Sequence, residues 1–186
     1  MKVLARFIQI VVFTVGLAQA NARNSGVFSV ESILSSARLP SGLIREAELI
    51  RTYGIGSLEK DDYGGSNHVY FSANSELWIE FKIDEDDRVN KPVVEILVSE
   101  NRLSKKKEPP ERAVGALTLD GVHIGDSIES VIKRIGGKFR KSKCTLGSIH
   151  GVDRYEVFPD ILEVGTHLRF FVRDNRIIAF SIVFTD

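Results

Sequence analysis

The chain repeats one pattern twice, a short helix stopped by glycine followed by strictly alternating strands, and this limits the folds open to it. The clearer copy begins at Gly121-Val-His-Ile-Gly-Asp-Ser-Ile-Glu-Ser-Val-Ile-Lys-Arg-Ile-Gly136. There Ile128, Val131, Ile132 and Ile135 fall at i, i+3, i+4 and i+7, a single apolar stripe. Asp126 is placed to cap the helix, and Glu129 three residues later completes a capping box. Gly136-Gly137 supplies the left-handed stop. The fainter copy runs from Arg45 to Tyr53, with Leu49, Ile50 and Tyr53 on one side and Gly54 as the stop.

Each helix is followed by strand patterns of period two. In Trp78-Ile-Glu-Phe-Lys-Ile83, Ile79, Phe81 and Ile83 face one way and Trp78, Glu80 and Lys82 the other. In Leu168-Arg-Phe-Phe-Val-Arg173, Leu168, Phe170 and Val172 oppose Arg169, Phe171 and Arg173. A shorter strand precedes each, His68 to Ser72 around Tyr70 and Asp153 to Phe158 around Tyr155. An apolar strand follows each, Val93 to Val98 and Ile177 to Phe184, the second entered through the tight turn Asp174-Asn175. The copies lie about 82 residues apart at the helices and about 89 at the strands, as expected when loops differ in length.

This predicts an α+β chain of two tandem helix-plus-three-strand antiparallel meander units. A helix covers only one face of such a sheet, so the other face is solvated, closed by the neighbouring unit or bound to a partner. Residues 57–66 and 138–152 read as polar loops, Pro40-Ser41-Gly42 as a turn, and Val27 to Val30 as a possible strand start. Glu31 to Arg38 fits either a continued strand or a short helix. The expected division is a signal peptide at 1–20, a first unit with an N-terminal extension at 21–99, a linker at 100–113 and a second unit at 114–186. Lys105-Lys106-Lys107 and Pro109-Pro110 make that linker a solvated, stiff connection.

The first twenty residues read as a targeting signal. Lys2 and Arg6 precede an apolar run from Phe7 to Leu17, and Ala18-Gln19-Ala20 fits the small-x-small cleavage rule. No cysteine follows the run, so a lipoprotein anchor is not expected, and the chain is assigned to the periplasm or medium after cleavage near Ala20. Lys and Arg number 25, as do Asp and Glu, so no charge excess points to nucleic acid or to stable membrane association. Cys144 is the single cysteine, which excludes an internal disulfide.

The residues that could carry catalysis do not assemble into a recognisable motif. His68, His123, His150 and His167 show no zinc-ligand spacing, and no Gly-x-Ser-x-Gly elbow is present. Cys144 and His150 share a loop without a flanking active-site signature, and Gly54-Ile-Gly56 follows a helix instead of opening one. No catalytic residue, cofactor or metal is therefore assigned, and binding of another protein is the expected work.

Two surfaces are candidates for that contact. Asp84-Glu85-Asp86-Asp87 forms an acidic hairpin loop without the spacing of a calcium site, read either as a solvated turn or as a probe for a basic cleft. Trp78, Glu80 and Lys82, with Arg169, Phe171 and Arg173, occupy the strand face away from the helices and include residue types common at interface hot spots. The alternative is that Trp78 and Phe171 pack between the units as a shared core. Tyr63, in Asp-Asp-Tyr-Gly-Gly, is a further exposed aromatic.

Ile124-Gly-Asp-Ser-Ile-Glu129 through Gly136, the later tyrosine strand and the final hairpin together resemble the α-β-β-β unit of a known superfamily. It includes the outer-membrane assembly lipoproteins of the SmpA/OmlA (BamE) type and, in tandem form, the β-lactamase inhibitory proteins. The chain departs from it in lacking a lipoprotein cysteine and the inhibitors' disulfides, and Leu43-Ile44-Arg45 stands where the second copy has Gly-Asp-Ser. The resemblance implies an exported protein that binds a hydrolase or toxin as an inhibitor or immunity protein, with a hairpin such as Asp84 to Asp87 entering the target. The other implied role is a non-inhibitory envelope assembly or scaffold protein.

Overall fold

The computed structural model describes residues 28–37, 44–60, 65–157 and 166–184. The expected leader at 1–20, the turn at Pro40-Ser41-Gly42 and Tyr63 lie outside them. Among the described residues are three helices, α1 (Val30–Ser36), α2 (Glu46–Tyr53) and α3 (Ile128–Ile135), and eight strands. The strands are β1 (Ser57–Lys60), β2 (Ser66–Ser72), β3 (Leu77–Ile83), β4 (Val93–Ser99), β5 (Phe139–Leu146), β6 (Ile149–Val157), β7 (Thr166–Arg173) and β8 (Arg176–Phe184). They form one antiparallel sheet in the order β1-β2-β3-β4-β8-β7-β6-β5. Two meanders thus meet at their last strands, β4 against β8, with Ile96 opposite Ile182 and Val98 opposite Phe180.

The α+β class is as expected, but each half carries four strands instead of three. Ser57–Lys60, expected inside a loop, pairs with β2 because Glu59 and Leu58 lie opposite Asn67 and His68. The polar stretch 138–152 contains β5 and most of the β5–β6 hairpin, which turns at Gly147. Its charges hid it: Lys141 and Lys143 straddle Asp153 at 3.0 and 2.5 Å, a cross-strand pairing that supplies part of what apolar alternation supplies elsewhere. The open choice at Glu31 to Arg38 resolves as α1, and Phe28 and Ser29 precede it outside any strand, Ser29 accepting from Ser32 N as the N-cap.

All three helices lie on one face of the sheet. Val30, Ile33 and Leu34 of α1, Leu49 and Tyr53 of α2, and Ile128 and Val131 of α3 share a core with Tyr70, Ile79, Phe81, Ile96, Val98, Leu168, Phe170, Phe180 and Ile182. Its aromatic centre packs edge to face, Phe28 on Tyr53 at 5.4 Å and Tyr70 on Phe81 at 5.8 Å. Such pairs contribute about 0.5–1.5 kcal/mol each beyond area burial. The two buried tyrosine hydroxyls are satisfied: Tyr70 donates to Gly54 O (2.6 Å), and Tyr53 accepts from Val30 N (3.0 Å).

The helices are seated in matching ways. Arg45, just before α2, bridges to Pro92 on the β3–β4 hairpin, and Ser127, just before α3, bridges to Arg176 on the β7–β8 hairpin. Gly54 and Gly136 end the two helices with φ of 77° and 69° and near-extended ψ, a conformation costly for residues with a Cβ. Asp126 is not the N-cap of α3. Ser127 is, its hydroxyl accepting from Ser130 N, while the Asp126 carboxylate accepts from His123 N in the preceding turn. The bridge to Arg176 holds Ser127 extended and delays the helix by one residue. Glu129 accordingly turns outward and accepts from Asn175 Nδ2 (2.8 Å) instead of closing a capping box.

Residues 100–113, expected as a solvated linker, are held at many points along the first half. Leu103 packs on the face away from the helices, and the Ser104 hydroxyl meets Ser57 Oγ and Glu59 Oε1 at 2.8 and 2.7 Å. Lys107 then lies over the Phe71 ring, and Glu108 O accepts from Phe71 N. Glu111 N donates to Tyr53 O, and Arg112 reaches Phe28 O on the helix side. The strap therefore rounds the β1 edge. The prolines stiffen a path that hydrogen bonds have already fixed.

Candidate protein-contact surface

The face away from the helices carries Trp78, Glu80, Lys82, Arg169 and Phe171, as the alternation requires. It is not an open platform. Trp78 is 4% exposed and stacks edge-on to Phe71 at 5.0 Å, with Lys107 over the other ring. Phe171, 7% exposed, joins Leu97, Leu146, Val152, Ile178 and Ala179 in a second core that spans the β4–β8 junction. A bulge explains one member: Phe171 pairs with Ala179 and Val172 with Ile177, so Ile178 is the extra residue and turns to this face. Of the two readings for the aromatics, the shared core describes Phe171, while Trp78 is buried beside Phe71, over whose ring the strap's Lys107 lies.

Between the two aromatic patches runs a ladder of charges. Lys82 Nζ lies 2.9 Å from Glu95, Arg169 Nη1 lies 3.3 Å from the same carboxylate, and Arg169 Nε donates to Glu156 at 2.9 Å. Arg154 and His167 approach Glu156 at 3.6 and 4.0 Å, and Asn67 Nδ2 donates to Glu80 at 2.7 Å. Burial alone would push the Glu95 carboxyl up, but Lys82 and Arg169 outweigh it and hold it below the ordinary value. Burial opposes the Lys82 charge as well, and Glu95 more than offsets it, so the ammonium is held above its ordinary value. Burial and then Arg169 push His167 down. Glu95, Glu156 and His167 came as no expectation from the sequence, because a lone charge in a strand reads as solvent-facing. The signal was the register that aligns them across β6, β7, β8, β4 and β3. Among the described residues no group of three or more His, Cys, Asp or Glu side chains is placed to hold a metal ion.

The β3–β4 hairpin is the other candidate, and its carboxylates divide by role. Asp84 Oδ1 accepts from Asp86 N, and Asp87 accepts from Val89 N, Asn90 N and Asn90 Nδ2 at 2.9–3.1 Å. Those amides hold the Asp87 carboxyl below its ordinary range. Glu85 is held low too, by Ser66 first and then Lys91, and Lys91 also reaches Glu46 at the start of α2. Glu46 in turn meets the buried His68 Nε2 at 2.9 Å. Three of the four acids are therefore committed to building the loop, leaving Asp86 exposed. The same folding lifts Val89 to 90% exposure at the tip, flanked by exposed Arg88 and Asn90. Val89 was not singled out by sequence; an apolar residue in a charged turn carries no periodic signal.

Arg173 is exposed beyond the bulge, 3.9 Å from Asp174, and lines a shallow depression with Glu100, Gly125, Arg176 and Ile177. It stands apart from the hairpin. The structure thus separates the expected site residues into a paired, largely buried ladder and one ordered hairpin tip. No helix among the described residues is long and apolar enough to cross a membrane. No family model, curated protein or solved structure matches the chain.

Proposed function

We propose that the protein is an exported module that binds another protein stoichiometrically by seating the β3–β4 hairpin in it, as an inhibitor or immunity protein does to a hydrolase or toxin. The observation that carries this reading is the hairpin itself, with a nearly fully exposed Val89 on a loop whose conformation is already set by Asp84, Asp87 and the Glu85–Lys91–Glu46 pairs. A loop ordered before contact loses little conformational entropy on binding, and an apolar tip in a pocket is the common anchor of such interfaces. The expected probe of a basic cleft is revised accordingly, with Val89 as the anchor and Asp86 as the free charge beside it. Binding requires no covalent chemistry.

A tandem reading of the chain is part of the proposal. It is supported by the equal lengths of α2 and α3, their glycine stops of the same conformation, their matching bridges to the following hairpins, and the two meanders. The resemblance to the tandem inhibitors rests on those features and on the sequence patterns that suggested it.

Capture from envelope extract with the immobilised chain, read by mass spectrometry, tests the reading when run beside Val89→Asp and Asp86→Lys. Recovery of one dominant protein by the parent and its loss from both variants is the expected result. A partner retained equally by both variants would remove the hairpin from the mechanism, and recovery of none would remove the protein-binding role. Asp87 is unsuited to the test because its replacement would dismantle the loop.

A further inference from the structure

The two edges of the sheet are finished differently. On one side β1 is four residues long, and beyond its end the strap supplies Glu108 O to Phe71 N, so that edge is partly occupied. On the other side β5 runs for eight residues, pairs with β6 alone, and has no described element along its outer side. Every second residue of such a strand turns its N–H and C=O away from the sheet, which leaves a row of backbone groups, unpaired among the described residues, roughly 27 Å long at about 3.4 Å per residue.

The side chains along this row are of one sign. Lys138, Arg140, Lys141 and Lys143 are all exposed, and no acidic residue occurs between Gly137 and His150. Asp153 answers Lys141 and Lys143 from the neighbouring strand. Arg140 lies opposite Glu156 in the register, but that carboxylate is engaged by Arg169 and Arg154. Lys138 and Arg140 are left without a carboxylate among the described residues.

We infer that β5 is a docking edge for an extended acidic segment of a partner protein, which adds a ninth strand and sets its carboxylates against Lys138 and Arg140. A second copy of this chain is the poorer occupant, since pairing β5 with β5 brings Lys and Arg directly against Lys and Arg, and like charges facing each other across a ladder are destabilising. Backbone pairing supplies the affinity in this mode and the side chains supply the choice of partner. Lysines on an edge also serve to repel other strands. A guard of that kind would bind neither charge of peptide. The edge is separated from the β3–β4 hairpin by the whole second meander, so the two proposals fail independently.

The test uses the full chain and a fluorescein-labelled peptide of ten alternating Glu and Val residues, read by anisotropy and by hydrogen exchange. Saturable binding with slowed exchange confined to residues 138–146 is expected. At least tenfold weaker binding is expected for the Lys-for-Glu peptide, for the same peptide N-methylated at alternate amides, and for the K138E/R140E variant. Raising salt should weaken binding as the charges are screened. Equal binding of the N-methylated peptide would reduce the interaction to charge alone and overturn the inference. Absence of exchange protection on β5 would do so as well. So would sedimentation showing a dimer that the acidic peptide fails to dissociate, because the edge would then belong to a second copy.

Discussion

Replacing Glu95 by alanine tests whether the ladder of charges holds the two meanders together. Glu95 sits on β4, 5% exposed, with Lys82 from β3 at 2.9 Å and Arg169 from β7 at 3.3 Å, so its loss takes the close carboxylate partner from Lys82 and leaves Arg169 to Glu156 alone. Breaking a fully buried pair by removing one partner costs about 3–5 kcal/mol. The Lys82 and Arg169 side chains retain 36% and 24% exposure and can turn part of their charge to water, which lowers the expected cost to about 2–3 kcal/mol. At about 2–4 °C per kcal/mol for a chain of this size, Tm should fall by roughly 4–12 °C. Urea unfolding of Glu95→Ala, Lys82→Met and the double variant provides the measurement, with a coupling of at least about 1 kcal/mol expected between the pair. The pH dependence has a definite sign. Glu95 is held low, so its contribution is present above the ordinary carboxyl value of 4.5 and is lost as pH falls through the lower folded value. Lys82 is held high, so its contribution is present below 10.5 and is lost as pH rises through the higher folded value. The difference between parent and variant should therefore be widest between those limits and shrink beyond both. His167 is pushed down, so the unfolded chain takes up that proton first and the parent should weaken as pH falls below 6.5. An alanine variant within about 0.5 kcal/mol of the parent, or a cycle without coupling, would refute the reasoning.

Two further outcomes follow from the same geometry. Gly54→Ala and Gly136→Ala should each cost about 1–3 kcal/mol, because φ near +70° with extended ψ suits glycine almost alone. Chemical denaturation checks it, and a neutral Gly136→Ala, where no atom lies near the added Cβ, would show that α3 relaxes its stop freely. Cys144 is half-buried on β5, and burial pushes its thiol up despite nearby Arg154. Its reaction with an aromatic disulfide at neutral pH should be slower than that of the urea-unfolded chain, and equal rates would contradict the placement.

The helix-covered core was legible in the sequence because period matched burial. Ile79, Phe81 and Ile83 and their counterparts Leu168, Phe170 and Val172 point where alternation put them. The edge strands were not legible. β1 and β5 carry Leu58, Glu59, Lys141 and Lys143 at positions that gain from pairing and little from burial, so hydropathy reads them as loops. The candidate surface was legible as a set of positions but not as a set of roles. Strand alternation says which side Trp78 occupies. It cannot say that a strap about thirty residues later will return to cover its neighbour Phe71, or that three of four acids in Asp84 to Asp87 will be committed to backbone amides and Lys91.

The pairing of β4 with β8 also sets an order of events in a chain made from its N-terminus. β4 is complete long before β8 exists, and at about 5–20 residues per second the roughly 85 residues between their ends represent several seconds of synthesis. During that interval the strand destined for the middle of the sheet is an edge bearing Ile96, Leu97 and Val98. Glu95 lies on that temporary edge with no Arg169 yet to meet it. The Lys82–Glu95 pair beside that open edge makes it a charged one, which disfavours a foreign strand taking the place of β8. The residue that ties the halves together at the end of folding thereby protects the first half while it waits.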